Sequence, residues 1–345
     1  MAYTVALNFE DGVTRFIQCN PGEKVLDAAY RQKVNLPMDC SDGVCGTCKC
    51  HCGQGDYSLG EDYLQDALSA QEAAQGLVLT CQMVPLSDCT LDVPHSSALC
   101  KTAASRYQAS VVVGRSLSAS AFELCLRVEQ ETGIPFLPGQ YINIQVPGSD
   151  EVRAYSFSSR PGAQELSFLI RNVAGGLMSG YLQHHCRPGD DVALTGPMGS
   201  FYLRPLTRPA LFLAGGTGLA PFLAMLQQLE RTGCSQPVCL IYGVTRDDDL
   251  VKLEELEDAV CALPQFSYLT VIADEQSRHE HLGYVTQHIP PSALNGGDVD
   301  VYLCGPPPMV DAVMDYFARQ ELTPANFYYE KFVPGLTAGS TTEET

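Results

Sequence analysis

Four cysteines in the N-terminal part constrain the fold of this chain more than any other feature. Three have the spacing C-x4-C-x2-C and the fourth follows after thirty-two further residues; they are Cys40, Cys45, Cys48 and Cys81. Iron–sulfide units bind soft, anionic thiolates, and this arrangement supplies four. Gly43 and Gly46 lie within the loop, where the lack of a side chain lets backbone N–H groups approach the sulfides. The spacing therefore predicts a loop around a 2Fe–2S cluster.

The same spacing is typical of plant-type ferredoxins. A structural zinc site is the alternative, but zinc sites with four thiolates usually contain two CxxC pairs, and here only Cys45 and Cys48 form one. Cys50 and Cys52 are close enough to compete as ligands, yet they lie beyond the loop on a predicted strand. We interpret these two cysteines as bystanders.

The chain has 345 residues, enough for three domains of ordinary size. Strands predicted at 3–9 and 13–19 and a helix near 23–33 place the cysteine loop in an α+β, ferredoxin-like (β-grasp) domain over 1–95. Residues 96–106 are small and polar without a clear period, which predicts a linker. Residues 336–345 have the composition of a disordered tail.

The second domain is predicted over 107–206. Short apolar stretches between Gly- and Pro-containing turns indicate an antiparallel β-barrel, interrupted by one short helix near 177–186. Glycines at 175 and 176 open this helix, and Met178 and Ser179 lie in its first turn. Because a helix N-terminus attracts phosphate, we expect Gly176, Met178 and Ser179 to contact a flavin nucleotide.

A strand of the same domain carries four further candidates: Arg153, Tyr155, Ser156 and Ser158. A guanidinium suits a pyrophosphate, an aromatic ring suits stacking, and hydroxyls suit hydrogen bonds to an isoalloxazine edge. Together with the glycine-led helix, this strand predicts a site for a flavin nucleotide. The alternative is a simple Gly turn with Ser179 as a cap and Arg153 paired with a surface carboxylate.

The third domain is predicted over 207–335, where apolar strands alternate with helices as in a doubly wound α/β fold with a parallel sheet. The turn Gly215, Gly216, Thr217 and Gly218 follows the first strand and opens a helix, the position at which such sheets bind dinucleotide phosphates. It is not the GxGxxG pattern, so a tight structural turn is the alternative.

A second candidate segment of this domain is Cys304, Gly305 and Pro306, where a small thiol and a glycine leave room for a flat ring at the carboxyl end of the sheet. A core cysteine is the alternative for Cys304. Near the C-terminus, Tyr328 and Tyr329 give an aromatic strand that could cover a flavin or pack in the core.

An acidic run, Asp247, Asp248 and Asp249, follows another strand and would repel a 2′-phosphate, although Arg246 could attract one. NADH is therefore favoured over NADPH. Asp249 is also predicted as the N-cap of the following helix, a role that needs no ligand.

The net charge of −19 and a pI near 4.6 argue against nucleic acid or an anionic membrane as partner. No apolar run is long enough to span a bilayer, and the N-terminus alternates like a strand, unlike a signal peptide. We expect a cytoplasmic monomer. The other cysteines, part of an odd total of fifteen, are predicted to be reduced and packed, and the histidines to lie at the surface or in caps.

Taken together, the motifs resemble those of the reductase components of two-component aromatic-ring dioxygenases, especially the benzoate/toluate 1,2-dioxygenase group. The resemblance covers the chain apart from its tail and rests on ten segments in order: DCSDGVCGTCKC, LTCQM, GQY, RAYSFSS, GGLMS, GPMGSFYL, LAGGTGLAPF, YGVT, VYLCGPPPM and PANFYYEKF. The implied order of parts is a 2Fe–2S domain, an FAD domain of the ferredoxin–NADP reductase type and an NADH domain.

The resemblance implies that the four cysteines hold the cluster, that Phe332 stacks on the flavin ring, and that Thr217 lies near the nicotinamide. It places Ser156, Cys304 and Glu330 at the reacting centre. Electrons would pass from NADH to FAD, to the 2Fe–2S cluster and then to the Rieske non-haem iron oxygenase component. The alternatives are a reductase for another ring-hydroxylating dioxygenase or a diiron monooxygenase, and a nucleotide-binding redox sensor without turnover.

Overall fold

The computed structural model describes residues 2–38, 43–44, 46–60, 63–97, 100 and 105–331, with only the backbone at 331. The predictions for Cys40, Cys45, Phe332 and the 336–345 tail lie outside these residues. The chain divides into two compact units, residues 1–106 with 196–200 and residues 107–195 with 201–345. Each unit is described by itself.

The first unit is an α+β domain built on a mixed sheet with strand order β2-β1-β7-β3-β5, beside a small β4-β6 pair. Its strands are β1 (Tyr3–Phe9), β2 (Thr14–Cys19), β3 (Lys49–Gln54), β4 (Tyr57–Ser58), β5 (Leu77–Leu79), β6 (Val84–Pro85) and β7 (Cys89–Val93). Its helices are α1 (Val25–Arg31) and α2 (Ala70–Ala74).

The apolar residues that alternate along the N-terminal strand form part of the core of this unit. Val5, Leu7 and Phe9 point inward from β1 and are buried, while β1 pairs antiparallel with β2 and parallel with β7. Buried residues of α1, among them Leu26, complete the cluster. Cys100, inside the predicted linker, also lies in this core, and the predicted boundaries at 95, 106 and 206 stay predictions.

The second unit begins with a β-barrel whose strand order is β11-β10-β13-β8-β9-β12. Its strands are β8 (Ser105–Ser116), β9 (Ala121–Val128), β10 (Tyr141–Gln145), β11 (Val152–Ser156), β12 (Glu165–Arg171) and β13 (Asp191–Met198), with helix α3 (Leu177–His184). Just beyond β11, an antiparallel bridge between Phe157 and Phe168 of β12 joins the two ends of the sheet. The expected barrel with one short helix is confirmed.

The rest of the second unit is a parallel sheet with strand order β16-β15-β14-β17-β18. The strands are β14 (Ala210–Gly215), β15 (Val238–Val244), β16 (Phe266–Ile272), β17 (Asp300–Gly305) and β18 (Asn326–Lys331). The helices are α4 (Ala220–Thr232), α5 (Leu253–Ala262), α6 (Pro291–Leu294) and α7 (Pro307–Arg319), and short 3-10 turns span Gly216–Leu219, Asp247–Asp249, Val285–Gln287 and Asn295–Gly297.

Both faces of this sheet are covered, as the continuous apolar strands predict. Phe212 of β14 packs in a cluster with residues of α4 and α5, while Leu211 and Leu213 join the cluster formed with α7 on the opposite face. The strand order reverses between β14 and β17, since β15 and β16 lie on one side of β14 and β17 and β18 on the other. Ligands of doubly wound sheets bind at the carboxyl edge beside such a reversal.

The prediction that Asp249 caps the next helix is wrong. Asp249 ends a 3-10 turn, the chain then extends through Leu250, and α5 begins only at Leu253 with Lys252 as its N-cap residue. The Asp249 carboxylate instead accepts hydrogen bonds from Ser120 Oγ at 2.5 Å and from the Arg246 backbone N–H at 3.2 Å. A contact with the barrel has replaced the cap.

Within the described residues, no helix is long and apolar enough to cross a membrane.

Candidate functional site

The glycine turn Gly216–Leu219 lies where the strand order of the parallel sheet reverses. A Cβ on Gly218 would overlap the Cys304 carbonyl on β17, so glycine is needed for the turn to pack against that strand. Gly216 has φ +54° and nothing within 4 Å of the position a Cβ would take. One side of the turn is thus packed while the other is open. The open side lies at the start of α4, where a dinucleotide phosphate can bind.

Three predicted catalytic residues meet at this edge of the sheet. Ser156 Oγ, at the end of β11 in the barrel, donates a hydrogen bond of 2.9 Å to Glu330 Oε2 on β18. Cys304 lies opposite Glu330 in the β17–β18 pairing, and its thiol lies 3.8 Å from the same carboxylate oxygen. All three are buried. The contact joins the barrel to the parallel sheet through polar groups of both.

The thiol of Cys304 stays protonated. Burial raises its pKa well above the ordinary value, and the neighbouring Glu330 carboxylate raises it further. A protonated thiol is small and uncharged and can donate weakly to Glu330. Cys304 therefore suits a place beside a flat, electron-accepting ring better than the place of a nucleophile.

The predicted flavin strand directs its aromatic rings toward the barrel core. Tyr155 packs partly against the barrel core and Phe157 is fully buried, stacked on Phe136 with ring centroids 3.8 Å apart. Burial raises the pKa of Tyr155, so its phenol is neutral. Arg153 donates to the Glu151 carboxylate at 2.9 Å and to the Val152 carbonyl at 2.8 Å. This carboxylate pairing is the alternative that the sequence left open for Arg153.

The other serine of that strand has a different environment. Ser158 Oγ lies 2.9 Å from Ser167 Oγ inside the barrel, and the Ser158 carbonyl accepts a hydrogen bond of 3.2 Å from Gln227 on α4. Ser158 is therefore not brought together with Glu330. Its backbone contributes a second contact between the barrel and the parallel-sheet domain.

A groove runs along the barrel beside the N-terminus of α3. It is lined by the hairpin residues 146–149 after β10, the glycine-led segment 172–177, Ser179 and His184 of α3, and His185 just after this helix. Gly176 is the N-cap residue of α3, which has no side-chain cap among the described residues. The free N–H groups of this first turn suit a phosphate. The helix was predicted from the sequence, but the part of the groove formed by the hairpin was not. The only sequence signal for that hairpin is its Pro-Gly turn.

Two other predicted contacts in α3 have internal partners. Ser179 Oγ accepts from the Val173 backbone N–H at 2.9 Å and so closes the glycine loop. Met178 is buried in the barrel core. Both residues shape the loop that faces the groove.

Two of the four predicted cluster ligands fall within the described residues. Cys48 and Cys81 are buried, and their sulfur atoms lie 3.2 Å apart. Gly46 has φ +73°, and a Cβ there would lie 3.2 Å from the Ala67 carbonyl, so glycine is required at this point of the loop. The two thiols and the tight loop fit thiolate ligation of a 2Fe–2S cluster. Cys50 is buried on β3, and Cys52 is half-buried on the same strand.

Thr80 precedes Cys81 in the segment LTCQM but is not among the site residues predicted from the sequence. Its side chain is completely buried, and its hydroxyl has no hydrogen-bond partner among the described residues. Its backbone N–H donates to the Cys48 carbonyl at 3.1 Å. Buried hydroxyls rarely lack a partner, so sulfur acceptors of a bound cluster would account for this one.

The acidic run after β15 does not act as one unit. Asp247 accepts from Ser277 Oγ at 2.8 Å, Asp249 is bound by Ser120, and Asp248 is exposed.

Two histidines of the parallel-sheet domain have protein partners. His279 lies 2.9 Å from Thr270 Oγ1, and His288 lies 2.7 Å from the Leu282 carbonyl. In the described part of the chain, no group of three His, Cys, Asp or Glu side chains is arranged to hold a metal ion.

The sequence matches three domain families in the expected order. The 2Fe-2S iron-sulfur cluster binding domain matches residues 8–86, the oxidoreductase FAD-binding domain residues 108–202 and the oxidoreductase NAD-binding domain residues 212–315. The expected cofactors FAD, NADH and a 2Fe–2S cluster are confirmed by these matches.

Similar proteins share the full arrangement. The toluate 1,2-dioxygenase electron transfer component of Pseudomonas putida is 56% identical over 96% of this chain and 99% of its own length. The 2-halobenzoate 1,2-dioxygenase electron transfer component of Burkholderia cepacia is 47% identical over 97% and 99%. Among solved structures, the Amycolatopsis cytochrome P450 reductase GcoB is 30% identical, covers 96% of this chain and 99% of its own, and has a TM-score of 0.74.

Replacing Ser156 by alanine removes the hydrogen bond to Glu330. We expect S156A to retain its FAD but to be reduced by NADH about tenfold more slowly, the equivalent of one net hydrogen bond of roughly 1.4 kcal/mol. Anaerobic stopped-flow measurement of the flavin absorbance gives this rate. S159A is the control, because in the described part of the chain Ser159 Oγ accepts from the Ser167 N–H inside the barrel and has no contact with Glu330. Equal rates for S156A and wild type would contradict the assignment.

Replacing Thr80 by valine keeps its shape and removes its hydroxyl. If that hydroxyl donates to cluster sulfur, it stabilises the reduced, more negative cluster, and T80V should lower the midpoint potential by about 40 mV, equivalent to roughly 1 kcal/mol for one electron. A spectroscopic redox titration measures the shift. T80S keeps the hydroxyl and should keep the wild-type potential. A T80V potential equal to wild type would show that the hydroxyl does not bond to the cluster.

Proposed function

Because this chain belongs to the family of electron transfer components of two-component aromatic-ring 1,2-dioxygenases, we propose that it delivers electrons from NADH to the oxygenase component of a benzoate- or toluate-type 1,2-dioxygenase. The chain is an NADH:acceptor oxidoreductase with FAD and 2Fe–2S domains. We infer that the acceptor is a Rieske non-haem iron oxygenase. The net charge of −19 supports a protein partner instead of a nucleic acid or an anionic membrane. A cytoplasmic monomer completes the proposal.

The observation that carries this function is the buried contact of Ser156 with Glu330 beside Cys304. It brings the end of the flavin strand to the carboxyl edge of the nucleotide-binding sheet, where the two ring systems have to meet. Bound FAD supplies the exchange between the two-electron chemistry of NADH and one-electron carriers. The side chains orient the rings and exclude water, and no nucleophile or general base is required of them.

Each residue of this contact has a distinct task. The Ser156 hydroxyl donates a hydrogen bond to Glu330 and so fixes the orientation of both side chains across the two domains. Cys304, protonated and buried, provides a compact neutral surface beside them. Gly216 leaves the glycine turn open for the dinucleotide phosphates.

The proposed site consists of four groups of residues. Cluster ligation is assigned to Cys40, Cys45, Cys48 and Cys81. FAD binding is assigned to Arg153, Tyr155, Ser156, Ser158, Gly176, Met178, Ser179 and Phe332. NADH binding is assigned to Gly215, Gly216, Thr217, Gly218, Gly305 and Pro306, and the reacting centre to Ser156, Cys304 and Glu330. The cluster ligands fall in the proposed domain 1–95, the NADH residues in 207–335 and the FAD residues in 107–206 except for Phe332. The reacting centre combines Ser156 of 107–206 with Cys304 and Glu330 of 207–335.

Reconstitution with purified oxygenase components tests the proposed acceptor. With NADH, oxygen and an aromatic carboxylate, a benzoate- or toluate-type oxygenase should consume oxygen rapidly only when this chain is added, because its Rieske centre then receives electrons. Substrate-dependent oxygen uptake is the measurement. The hydroxylase component of a diiron monooxygenase is the comparison. Faster coupled turnover with the diiron component would overturn the acceptor assignment while leaving the NADH oxidoreductase intact.

A further inference from the structure

A buried ion pair joins the barrel to the parallel-sheet domain away from the reacting centre. Glu123 lies on β9, and its Oε1 accepts a hydrogen bond of 2.6 Å from Lys252 Nζ, just before α5. The two side chains are only 7% and 13% exposed, so solvent screens them little. Arg115, opposite Glu123 on β8, binds the other carboxylate oxygen at 2.6 Å, and Glu255 binds Lys252 at 2.6 Å. Two positive and two negative charges form a balanced network.

The same segment is bound to the barrel a second time. Ser120, in the turn between β8 and β9, donates to Asp249 at 2.5 Å, three residues before Lys252. The Asp249 carbonyl in turn accepts a hydrogen bond of 3.3 Å from the Tyr242 hydroxyl on β15. Residues 246–252, named here the acidic turn, are thus held from the barrel at both Asp249 and Lys252.

The electrostatics of the pair favour its charged state. Burial would raise the pKa of Glu123, but the hydrogen bonds from Lys252 and Arg115 outweigh it and hold that pKa below its ordinary value. Burial likewise opposes the charge on Lys252, yet Glu123 and Glu255 raise its pKa. Lys252 also has the left-handed backbone φ of 63°, which a residue with a side chain rarely adopts and which its surroundings must maintain. The network therefore binds the end of the acidic turn at Lys252.

The acidic turn directly follows β15, the neighbour of β14 on the side opposite β17. In doubly wound sheets the chain beyond the carboxyl end of this second strand contacts the adenosine ribose of the dinucleotide. Because the acidic turn is bound to the barrel, its position is fixed relative to the flavin strand, which belongs to the same barrel. The position of the adenosine half is then coupled to the flavin domain.

We propose that Glu123 and Lys252 are positioning residues that hold the acidic turn against the flavin barrel and thereby set the affinity and selectivity for NADH. This inference rests on the proposed function. The pair touches neither the reacting centre nor the glycine turn in the described residues. Its removal should therefore weaken dinucleotide binding more than it slows the reaction of the bound dinucleotide.

Steady-state NADH oxidation with ferricyanide by the full-length, FAD-loaded chain tests this inference. K252M keeps the length and the apolar stem of the side chain and removes its charge. We expect KM for NADH to rise roughly tenfold, the size of effect seen when a coupling network is broken, with kcat within about twofold of wild type. The ratio of kcat/KM for NADH to that for NADPH should fall. K252R keeps the positive charge and should keep the wild-type KM for NADH.

The matched control is R127M, which breaks the exposed Arg127–Glu165 pair on β9 and β12 without involving the parallel-sheet domain. Its KM and kcat should equal those of wild type. If K252M does not fold, E123Q removes the other charge at nearly constant volume and should give the same rise in KM.

Two results would overturn the inference. One is a KM unchanged in both K252M and E123Q, and the other is a fall in kcat without a change in KM. In either case wild type still oxidises NADH and the proposed function stands. A wild-type chain that does not oxidise NADH at all would overturn the proposed function and this inference with it.

Discussion

The hydrogen bond from Ser156 to Glu330 fixes the barrel against the parallel sheet at the proposed reacting centre. It is a polar contact between two buried side chains, so losing either partner would cost the free energy of a buried hydrogen bond. Its donor ends a barrel strand, and its acceptor lies beside Cys304 at the carboxyl edge of the parallel sheet. The barrel and the parallel sheet, both in the second unit, thereby present side chains to one point, the proposed meeting place of the two cofactor rings.

Close backbone packing supports this contact from the nucleotide side. The glycine turn lies directly against the Cys304 carbonyl because Gly218 carries no side chain, while Gly216 leaves the opposite side of the turn open. The strand order that brings β14 beside β17 is what places the turn and Cys304 together. The site is therefore a consequence of the sheet topology as much as of the individual side chains.

Much of this architecture could be predicted from the sequence because the signals are local. The alternation of Val5, Leu7 and Phe9 predicts β1, and the strand–glycine–helix pattern at 210–232 predicts the first unit of the parallel sheet. The cysteine spacing gives the cluster motif directly.

What could not be predicted depends on residues far apart in the chain. Asp249 has the sequence context of a helix cap, yet a serine more than a hundred residues earlier binds it and the helix begins later. The Glu123–Lys252 pair and the hairpin wall of the flavin groove likewise require the folded barrel. Thr80 had a signal in its position next to Cys81, but the burial of its hydroxyl without a partner among the described residues is visible only in the structure.

The most direct test of electron flow from NADH through FAD to a 2Fe–2S cluster is the visible spectrum of the purified protein during anaerobic titration with NADH. We expect flavin bands with a broad iron–sulfur shoulder, and NADH should bleach both. A protein that contains zinc and lacks the iron–sulfur absorbance, or a shoulder that NADH leaves unchanged while the flavin is reduced, would contradict the account.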